Sequence, residues 1–340
     1  MSSSPLTVLD TLGRPMRDLR VSVTDRCNFR CVYCMPKEVF GRDHAFLPRG
    51  EVLDFPEIER VVRASVGLGV RKVRLTGGEP LVRRNLEELV ATLAAVDGIE
   101  DLTLTTNASL LAGRAQALAD AGLHRVTVSL DALDDPTFQA MNDVGFPVTR
   151  VLDGIAAADA AGLGPIKVNA VIRRGLNEHA VVQLAERFRG TSTTVRFIEY
   201  MDVGSSNGWR LDDVVPATEV IAAIDARWPL EQVAPDYRGE VASRYRYRDG
   251  AGEIGIIGSV TQPFCGDCTR ARLSADGQLF TCLFATSGHD LRGLLRSGAT
   301  DADLAEALRI IWTGRGDRYS DLRTLETVDL PRVEMSFIGG

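Results

Sequence analysis

The alternation of apolar and polar positions divides the first two thirds of the chain into strands and helices. Runs with a two-residue period predict strands at six places, 19–25, 72–76, 101–107, 125–131, 166–172 and 194–202. Between them, apolar residues at three- and four-residue spacing predict helices, as in FPEIERVVRASVGLG and AVVQLAERFRG. Six successive strand–helix units predict an α/β fold with a parallel sheet.

Each predicted strand has an apolar and a polar face, because successive side chains point to opposite sides. The polar positions along the strands are Arg20, Ser22, Thr24, Arg74, Thr76, Thr103, Thr105, Asn107, Thr127, Ser129, Asp131, Lys167 and Asn169. A closed eight-stranded barrel fills its lumen with branched apolar residues, whereas these faces are polar. We therefore expect an incomplete (β/α)6 TIM-type barrel around a ligand cavity, and the alternative is a sheet with one solvated face.

The strand–helix rhythm changes at about residue 204. A loop-rich stretch and a helix are followed by a hairpin in SRYRYRDGAGEIGIIGSV and a strand–turn–strand in CGDCTRARLSADGQLFTC. DADLAEALRIIWTG predicts a last helix. We expect two regions, 1–203 as the partial barrel and 204–340 as a C-terminal α+β extension that closes its open side.

Composition excludes several classes of protein. The 340 residues are 45% hydrophobic and carry a net charge of −7, which is unlike the basic surface of a nucleic-acid binder. No apolar run reaches the roughly 20 residues of a membrane span. The N-terminus lacks a signal-peptide pattern, so we expect a cytoplasmic protein with reduced cysteines.

The six cysteines form two trios, Cys27, Cys31 and Cys34, and Cys265, Cys268 and Cys282. Three thiolates can hold a 4Fe-4S cubane and leave one iron free to bind an external molecule. The alternatives are three disulfides, or zinc at the second trio with a fourth ligand such as His289. The spacing favours two clusters.

The first trio resembles the signature of the radical S-adenosylmethionine enzymes. CxxxCxxC carries Tyr33 before its last cysteine, and GGEP follows the second strand at 77–80. The resemblance implies that S-adenosylmethionine binds the open iron and yields a 5′-deoxyadenosyl radical. It also implies that Tyr33, Gly78, Ser129 and Met201 contact S-adenosylmethionine.

Nearly the whole chain, from LRVSVTDRCNFRCVYCMP to MSFIGG, is similar to the GTP 3′,8-cyclase family of molybdenum cofactor biosynthesis. Cations at polar strand positions suit a triphosphate independently of that resemblance. The resemblance implies that the second cluster anchors guanine and that GTP is contacted by Arg20, Arg74, Thr105, Lys167, Arg270 and Arg272. It assigns catalytic roles to Arg20, Arg74, Gly339 and Gly340, with the two glycines entering the cavity beside Arg74.

The resemblance also implies partners. These are an electron donor of the reduced flavodoxin or ferredoxin type and a downstream cyclic pyranopterin monophosphate synthase, and a homodimer stays open. One departure is visible, because Ala108 stands where the family has the glycine of TTNG. The rival interpretations are a radical S-adenosylmethionine maturase acting on a peptide and a zinc- or cluster-binding regulatory protein without catalysis.

Overall fold

A twelve-stranded sheet forms the centre of the computed structural model, which describes residues 7–323 and 332–339. The strands are β1 (Asp18–Ser22), β2 (Lys72–Thr76), β3 (Asp101–Thr106), β4 (Arg125–Ser129), β5 (Lys167–Ile172), β6 (Thr194–Glu199), β7 (Leu230–Val233), β8 (Ser243–Tyr247), β9 (Glu253–Ile257), β10 (Arg270–Leu273), β11 (Gln278–Phe280) and β12 (His289–Asp290). The six strands predicted for the first two thirds are all present, with ends shorter by up to three residues.

The helices alternate with the first six strands and then follow the C-terminal strands. They are α1 (Phe55–Gly67), α2 (Leu86–Ala94), α3 (Ala115–Asp120), α4 (Asp135–Asn142), α5 (Val148–Ala160), α6 (Ala180–Phe188), α7 (Ala217–Asp225), α8 (Leu291–Arg296), α9 (Asp301–Thr313), α10 (Tyr319–Leu322) and α11 (Met335–Ile338). In the described part of the chain, none of these is long and apolar enough to cross a membrane.

Local sequence explains where several helices begin. Asp54 caps α1 in a capping box with Glu57, and Thr300 does the same for α9 with Asp303. The sequence interpretation missed α4, although Asp134 accepts a hydrogen bond from the Thr137 amide as an N-cap and is followed by Asp-Pro, a usual helix start. The helix is only eight residues long, so it carries little periodic signal.

The strand order is β12-β11-β10-β1-β2-β3-β4-β5-β6-β9-β8-β7. The strands β1 to β6 are adjacent and parallel, as predicted. The C-terminal region adds one further parallel strand at each edge of this segment, β10 beside β1 and β9 beside β6. The predicted hairpin and strand–turn–strand are β8–β9 and β10–β11, both antiparallel.

The apolar strand faces pack into the main hydrophobic core with the helices. Leu19, Val73, Leu102, Val126 and Val168 are completely buried there. Burial of one face against helices explains the two-residue period of the sequence. It also leaves the opposite, polar face of the parallel strands for the cavity.

Candidate active site

A cavity of about 450 Å³ runs along the polar face of the parallel strands. This volume lies within the range of roughly 300–1,000 Å³ that small-molecule sites occupy. Every parallel strand contributes to its wall, and the predicted lumen-facing residues that line it are Arg20, Arg74, Thr76, Thr105, Asn107, Ser129, Lys167 and Asn169. Five further residues of the polar faces are buried and do not line the cavity, namely Ser22, Thr24, Thr103, Thr127 and Asp131. Thr127 lies on the same face as Arg74, because its Oγ1 accepts from Arg74 Nη1 at 3.0 Å.

The first cysteine trio lies on the loop that follows β1. The amides of Cys34 and Met35 both donate to the Cys31 carbonyl at 2.9 Å, which forms a tight turn between the last two cysteines. Cys27 Sγ accepts from the Phe29 amide at 3.4 Å. All three thiols are free and line the cavity.

The protein by itself disfavours thiolates in this trio. Burial raises the pKa of Cys27 to about 12, and it raises the pKa values of Cys31 and Cys34 well above their usual range. The nearby Glu79 and Asp131 carboxylates add to these shifts. Thiolates at this position therefore need a cationic partner from outside the chain, and iron supplies that charge in a cluster.

Glycines bring the loop after β2 against the cysteine loop. The Gly78 amide donates to the Thr24 carbonyl at 2.8 Å and the Glu79 amide to the Arg26 carbonyl at 2.9 Å. A Cβ on Gly78 would lie closer than 3.0 Å to the Arg26 carbonyl group. The close approach that these glycines make in the structure is therefore to the cysteine loop, and a contact with S-adenosylmethionine stays a prediction.

The second trio lines the same cavity, with Cys265 and Cys268 in the turn before β10 and Cys282 just after β11. The Cys268 amide donates to the Cys265 carbonyl at 3.2 Å, and Arg270 Nη2 donates to Cys268 Sγ at 3.3 Å. Burial alone would raise the pKa of Cys268, but Arg270 and Arg315 outweigh it and hold the pKa at about 6. Burial raises the pKa of Cys282 to about 11.

Neither alternative for the cysteines gains support. All six thiols are free, so the disulfide alternative fails in this structure. His289 is exposed on β12 and does not line the cavity. Across residues 7–323 and 332–339, no three His, Cys, Asp or Glu side chains converge on a position for a single metal ion. A cubane needs a wider arrangement, because each cysteine binds a different iron.

Cations gather on adjacent strands of the cavity wall. Arg20 lies beside Arg74 on one neighbouring strand and beside Arg272 on the other. Burial and the surrounding Arg272, Arg270 and Arg74 guanidinium groups lower the pKa of Arg20 well below its usual range. Among the described residues, the buried Nε atoms of Arg20 and Arg74 have no acceptor. The arrangement therefore suits a polyanion, whose oxygens would pair these charges.

The remaining predicted GTP contacts lie on the same wall. Lys167 lines the cavity at the start of β5, and burial lowers its pKa to about 7. Thr105 Oγ1 accepts from Arg74 Nη1 at 2.9 Å. Beside the second trio, Arg270 also lines the cavity. The structure thus brings all six predicted GTP residues to one chamber, and their contacts with a ligand stay predictions.

The predicted S-adenosylmethionine residues lie around the first trio. Tyr33, Gly78, Ser129 and Met201 line the cavity together with its cysteines. Tyr33 Oη donates to Asp131 Oδ2 at 2.9 Å, and Asp131 also accepts from the Val171 amide at 2.9 Å. Asp131 therefore fixes the tyrosine from behind the cavity wall.

Ala108, which stands where the family has a glycine, lies at a position with a positive φ. Ala108 has φ +59° and is completely buried in the turn after β3. Its amide donates to Thr106 Oγ1 at 2.9 Å, which holds the turn. Alanine therefore keeps the conformation that glycine would adopt, at the cost of backbone strain.

The C-terminal segment is packed into the protein. Ile338 is fully buried, and the Gly339 carbonyl accepts from Arg272 Nη1. A Cβ on Gly339 would lie closer than 3.0 Å to Thr76 Cγ2, so the position has no room for a side chain. Gly339 contacts Arg272 and Thr76, and its predicted proximity to Arg74 stays a prediction. Gly340 lies outside the described residues.

Sequence reasoning missed two side chains that shape the site. Glu79 is buried and accepts from Thr106 Oγ1 and the Asn107 amide, both at 2.7 Å, and burial raises its pKa to about 7. Arg196 lines the cavity from β6 and donates to Asn169 Oδ1 at 2.9 Å. The alternation TVRFIE, which places Arg196 on the polar face, could have identified it.

Two family models match consecutive parts of the chain. The family model of the Radical SAM superfamily matches residues 21–188, and the model described as Molybdenum Cofactor Synthesis C matches residues 193–321. A GTP 3′,8-cyclase of Acidothermus cellulolyticus is 56% identical over 98% of this chain and 99% of its own length. A GTP 3′,8-cyclase of Staphylococcus aureus strain MRSA252 is 49% identical with the same two coverages.

Among solved structures, Streptococcus suis SuiB bound to S-adenosylmethionine matches with a TM-score of 0.62. The two share 15% sequence identity, and the match covers 92% of this chain and 69% of SuiB. At that identity the likeness concerns the fold alone.

Proposed function

The chain belongs to the GTP 3′,8-cyclase family of the radical S-adenosylmethionine superfamily, and on that premise we propose the following account of its reaction and of the residues that perform it. It is an enzyme that cyclises GTP to (8S)-3′,8-cyclo-7,8-dihydroguanosine 5′-triphosphate, the first step of molybdenum cofactor biosynthesis. The observation that carries the account is one chamber lined by two cysteine trios and a row of cations.

Two 4Fe-4S clusters are proposed, the first on Cys27, Cys31 and Cys34 and the second on Cys265, Cys268 and Cys282. The fit rests on free thiols that line one cavity and, in the first trio, on buried thiols whose ionisation needs external positive charge. When bound, the first cluster supplies the electron that cleaves S-adenosylmethionine to the radical which abstracts hydrogen from C3′ of the GTP ribose.

The residues around the first trio would hold S-adenosylmethionine. Tyr33, fixed by Asp131, and Gly78, Ser129 and Met201 form the wall there. Glu79 stands next to Gly78 with both carboxylate oxygens occupied by donors from the chain, so it fixes the loop after β3 against the loop after β2.

The cationic wall would hold GTP. Arg20, Arg74 and Lys167 carry charge that the described chain does not fully pair, which suits the triphosphate. Arg270 and Arg272 stand beside the second trio, where guanine would lie. Thr105 is oriented by Arg74 toward the same space, and Arg196 belongs with this set.

The C-terminal Gly339 and Gly340 would complete the chamber as catalytic elements. Support comes from the buried segment before them and from the Arg272 contact to the Gly339 carbonyl. A tail in this position would order the arginine wall and exclude water during radical chemistry.

Architecture and partners complete the proposal. We infer an incomplete (β/α)6 barrel in region 1–203 whose open side is covered by region 204–340; this rests on a cavity wall drawn from all eight parallel strands. The reaction needs an electron donor of the flavodoxin or ferredoxin type, and its product passes to cyclic pyranopterin monophosphate synthase. A homodimer is compatible with this scheme.

The test separates the two clusters. Anaerobically reconstituted protein should hold about eight irons per chain, four for each cubane. Cys31→Ser should abolish cleavage of S-adenosylmethionine, whereas Cys268→Ser should retain cleavage and lose cyclised product. Equal loss of cleavage in both variants, or zinc at the second trio, would contradict the proposal.

A further inference from the structure

A buried group of three ionic side chains lies behind the second cysteine trio. Arg14 Nε is 2.6 Å from Asp10 Oδ2, and Arg315 Nη1 is 3.1 Å from the same oxygen. The side chains of all three are almost fully inaccessible to solvent. One carboxylate is thus shared by two guanidinium groups, and Arg315 Nε also lies 3.3 Å from Oδ2 of the partly exposed Asp317.

The two arginines donate to backbone carbonyls at Cys265 and Cys268 and next to Cys282. Arg14 Nη1 donates to the Cys265 carbonyl at 2.7 Å, and Arg315 Nη1 donates to the Cys268 carbonyl at 2.7 Å. Arg315 Nε donates to the carbonyl of Thr281, the residue before Cys282, at 3.1 Å. One ionic group therefore fixes two segments that are separate in sequence, the Cys265–Cys268 turn and the residue before Cys282.

The arginines are themselves held rigidly. The Trp312 ring lies 4.6 Å from the guanidinium of Arg315, and Trp312 Nε1 donates to the Arg14 carbonyl at 3.0 Å. Asp10 Oδ1 accepts from the amides of Leu12 and Arg14, both at 2.9 Å. Two remote parts of the chain, the turn before β1 and the end of α9, thus meet beneath the trio.

The stability of the fold does not by itself require a buried ionic group at this place. Buried ionic groups are often no more stabilising than apolar side chains of similar volume, because desolvation offsets their attraction. Here the guanidinium of Arg315 also reaches the ligand space, since Arg315 lines the cavity together with Cys268 and Cys282. Groups that orient ligating residues and set local charge tune a cluster's potential.

We infer that Asp10, Arg14 and Arg315 form a positioning unit that holds the second cysteine trio in the arrangement of its cluster and raises the cluster's reduction potential. The inference rests on the second cluster of the proposed function. The three residues are positioning residues because they act through the cysteine backbone.

The experiment uses the full-length chain with the first trio replaced by serine, so that iron reports on the second cluster alone. This protein should hold about four irons; its failure to do so would count against the proposed function and not against the positioning unit specifically. Arg315→Gln, Arg315→Lys and Asp10→Asn are introduced into it. Arg309→Gln is the matched control, since Arg309 pairs with Glu306 on the exposed face of α9, the helix that ends two residues before Arg315.

Potentials are measured by redox titration followed by electron paramagnetic resonance. Arg315→Gln removes positive charge and should lower the midpoint potential, whereas Asp10→Asn removes negative charge and should raise it. Arg315→Lys keeps the charge but not the fork that reaches three acceptors. It should release iron to a chelator roughly tenfold faster, with little change in potential, and the control should match the parent.

Each outcome decides the inference. Shifts of opposite sign in Arg315→Gln and Asp10→Asn support it, and unchanged potentials with parental iron release overturn it. If a variant does not retain the second cluster, the same change is made in the chain with all six cysteines. Loss of about four of about eight irons with cleavage of S-adenosylmethionine intact supports positioning, and loss of both clusters overturns it in favour of a general folding role.

Discussion

Replacing Gly339 with alanine tests whether the buried C-terminal tail completes the chamber. Gly339 has φ +76°, and a Cβ there would overlap Thr76 Cγ2. We expect the alanine variant to fold, bind both clusters and cleave S-adenosylmethionine, while product formation falls. The reason is that the substitution acts on the docked tail and leaves the cysteine loops and their neighbours unchanged.

The magnitude follows from opposing contributions. A left-handed φ costs alanine about 1–2 kcal/mol, and overpacking against Thr76 costs about 1–3 kcal/mol more. Docking of the tail gains about 1.5–3 kcal/mol from the buried Ile338 side chain and about 1.5–3 kcal/mol from the Arg272 hydrogen bond. The docking equilibrium constant should therefore fall by at least roughly thirtyfold, which corresponds to about 2 kcal/mol, and the similar totals bring the docked and undocked tail close in free energy.

The assay is the ratio of cyclised product to released 5′-deoxyadenosine under anaerobic conditions. Gly162→Ala is the control for backbone strain, since Gly162 has φ +77° and no atom within 4 Å of an added Cβ. Thr76→Ser, introduced into the alanine variant, removes the overlapping methyl group and should restore part of the ratio. Thr76→Ser by itself measures any direct effect of that residue on the reaction.

Two results would refute the reasoning. An alanine variant with the parental ratio would show that the tail tolerates a side chain or plays no part in cyclisation. A low ratio that Thr76→Ser leaves unchanged would mean that the clash with Thr76 does not displace the tail. Thermal unfolding of each variant verifies that the fold is intact.

Three further predictions concern pKa values and backbone strain. Lys167→Ala should weaken GTP binding by roughly 1.5–3 kcal/mol in calorimetry. Because the pKa of Lys167 is lowered to about 7, the affinity of the parent for GTP should fall from about pH 7 to about pH 9. Lys167→Arg should flatten that fall, and an unchanged fall would mean that Lys167 makes no phosphate contact. Burial raises the pKa of Glu79 to about 7 from an unfolded value of about 4.3, so its stabilising contribution is full below about pH 4 and is lost as pH rises through about 7. Denaturant titrations of the cluster-free protein should therefore show a flatter pH dependence for Glu79→Gln, and an unchanged slope would contradict the assignment. Ala108→Gly relieves about 1–2 kcal/mol of backbone strain. It also removes about 0.8 kcal/mol of methyl burial and adds about 0.5–1 kcal/mol to the entropic cost of folding. The free energy of unfolding should therefore stay within about 1 kcal/mol of the parent, and a larger change would refute that balance.

The alternation of strands and helices could be predicted because each strand buries only one face in the apolar core. Apolar residues therefore recur with a two-residue period along each strand. The same period placed Arg20, Arg74 and Lys167 on the cavity side. It did not separate residues at the wall from those beneath it, such as Thr103 and Thr127, because alternation gives the face of a side chain and not its depth. Depth depends on how neighbouring strands pack.

The cysteine trios could be recognised from their spacing, but the side chains that hold the second trio in place could not. Asp10 and Arg14 are far from Arg315 in sequence, and an isolated Arg or Asp resembles a surface residue in composition. Glu79 shows the same limit. Its burial follows from contacts with the next strand's loop, which no local pattern encodes.

The sheet order has a consequence for how the chain reaches its final form during synthesis. β1 emerges first, yet one of its two neighbours, β10, belongs to the last quarter of the chain, and β6 likewise awaits β9. A nascent protein that ends after β6 would expose two unpaired edges of a parallel sheet, a known route to aggregation. Such contacts between distant parts of a sequence also slow folding. The ribosome must therefore finish nearly the whole chain before the cavity between the parallel strands is complete. A prematurely terminated chain would aggregate rather than persist in a partly folded form.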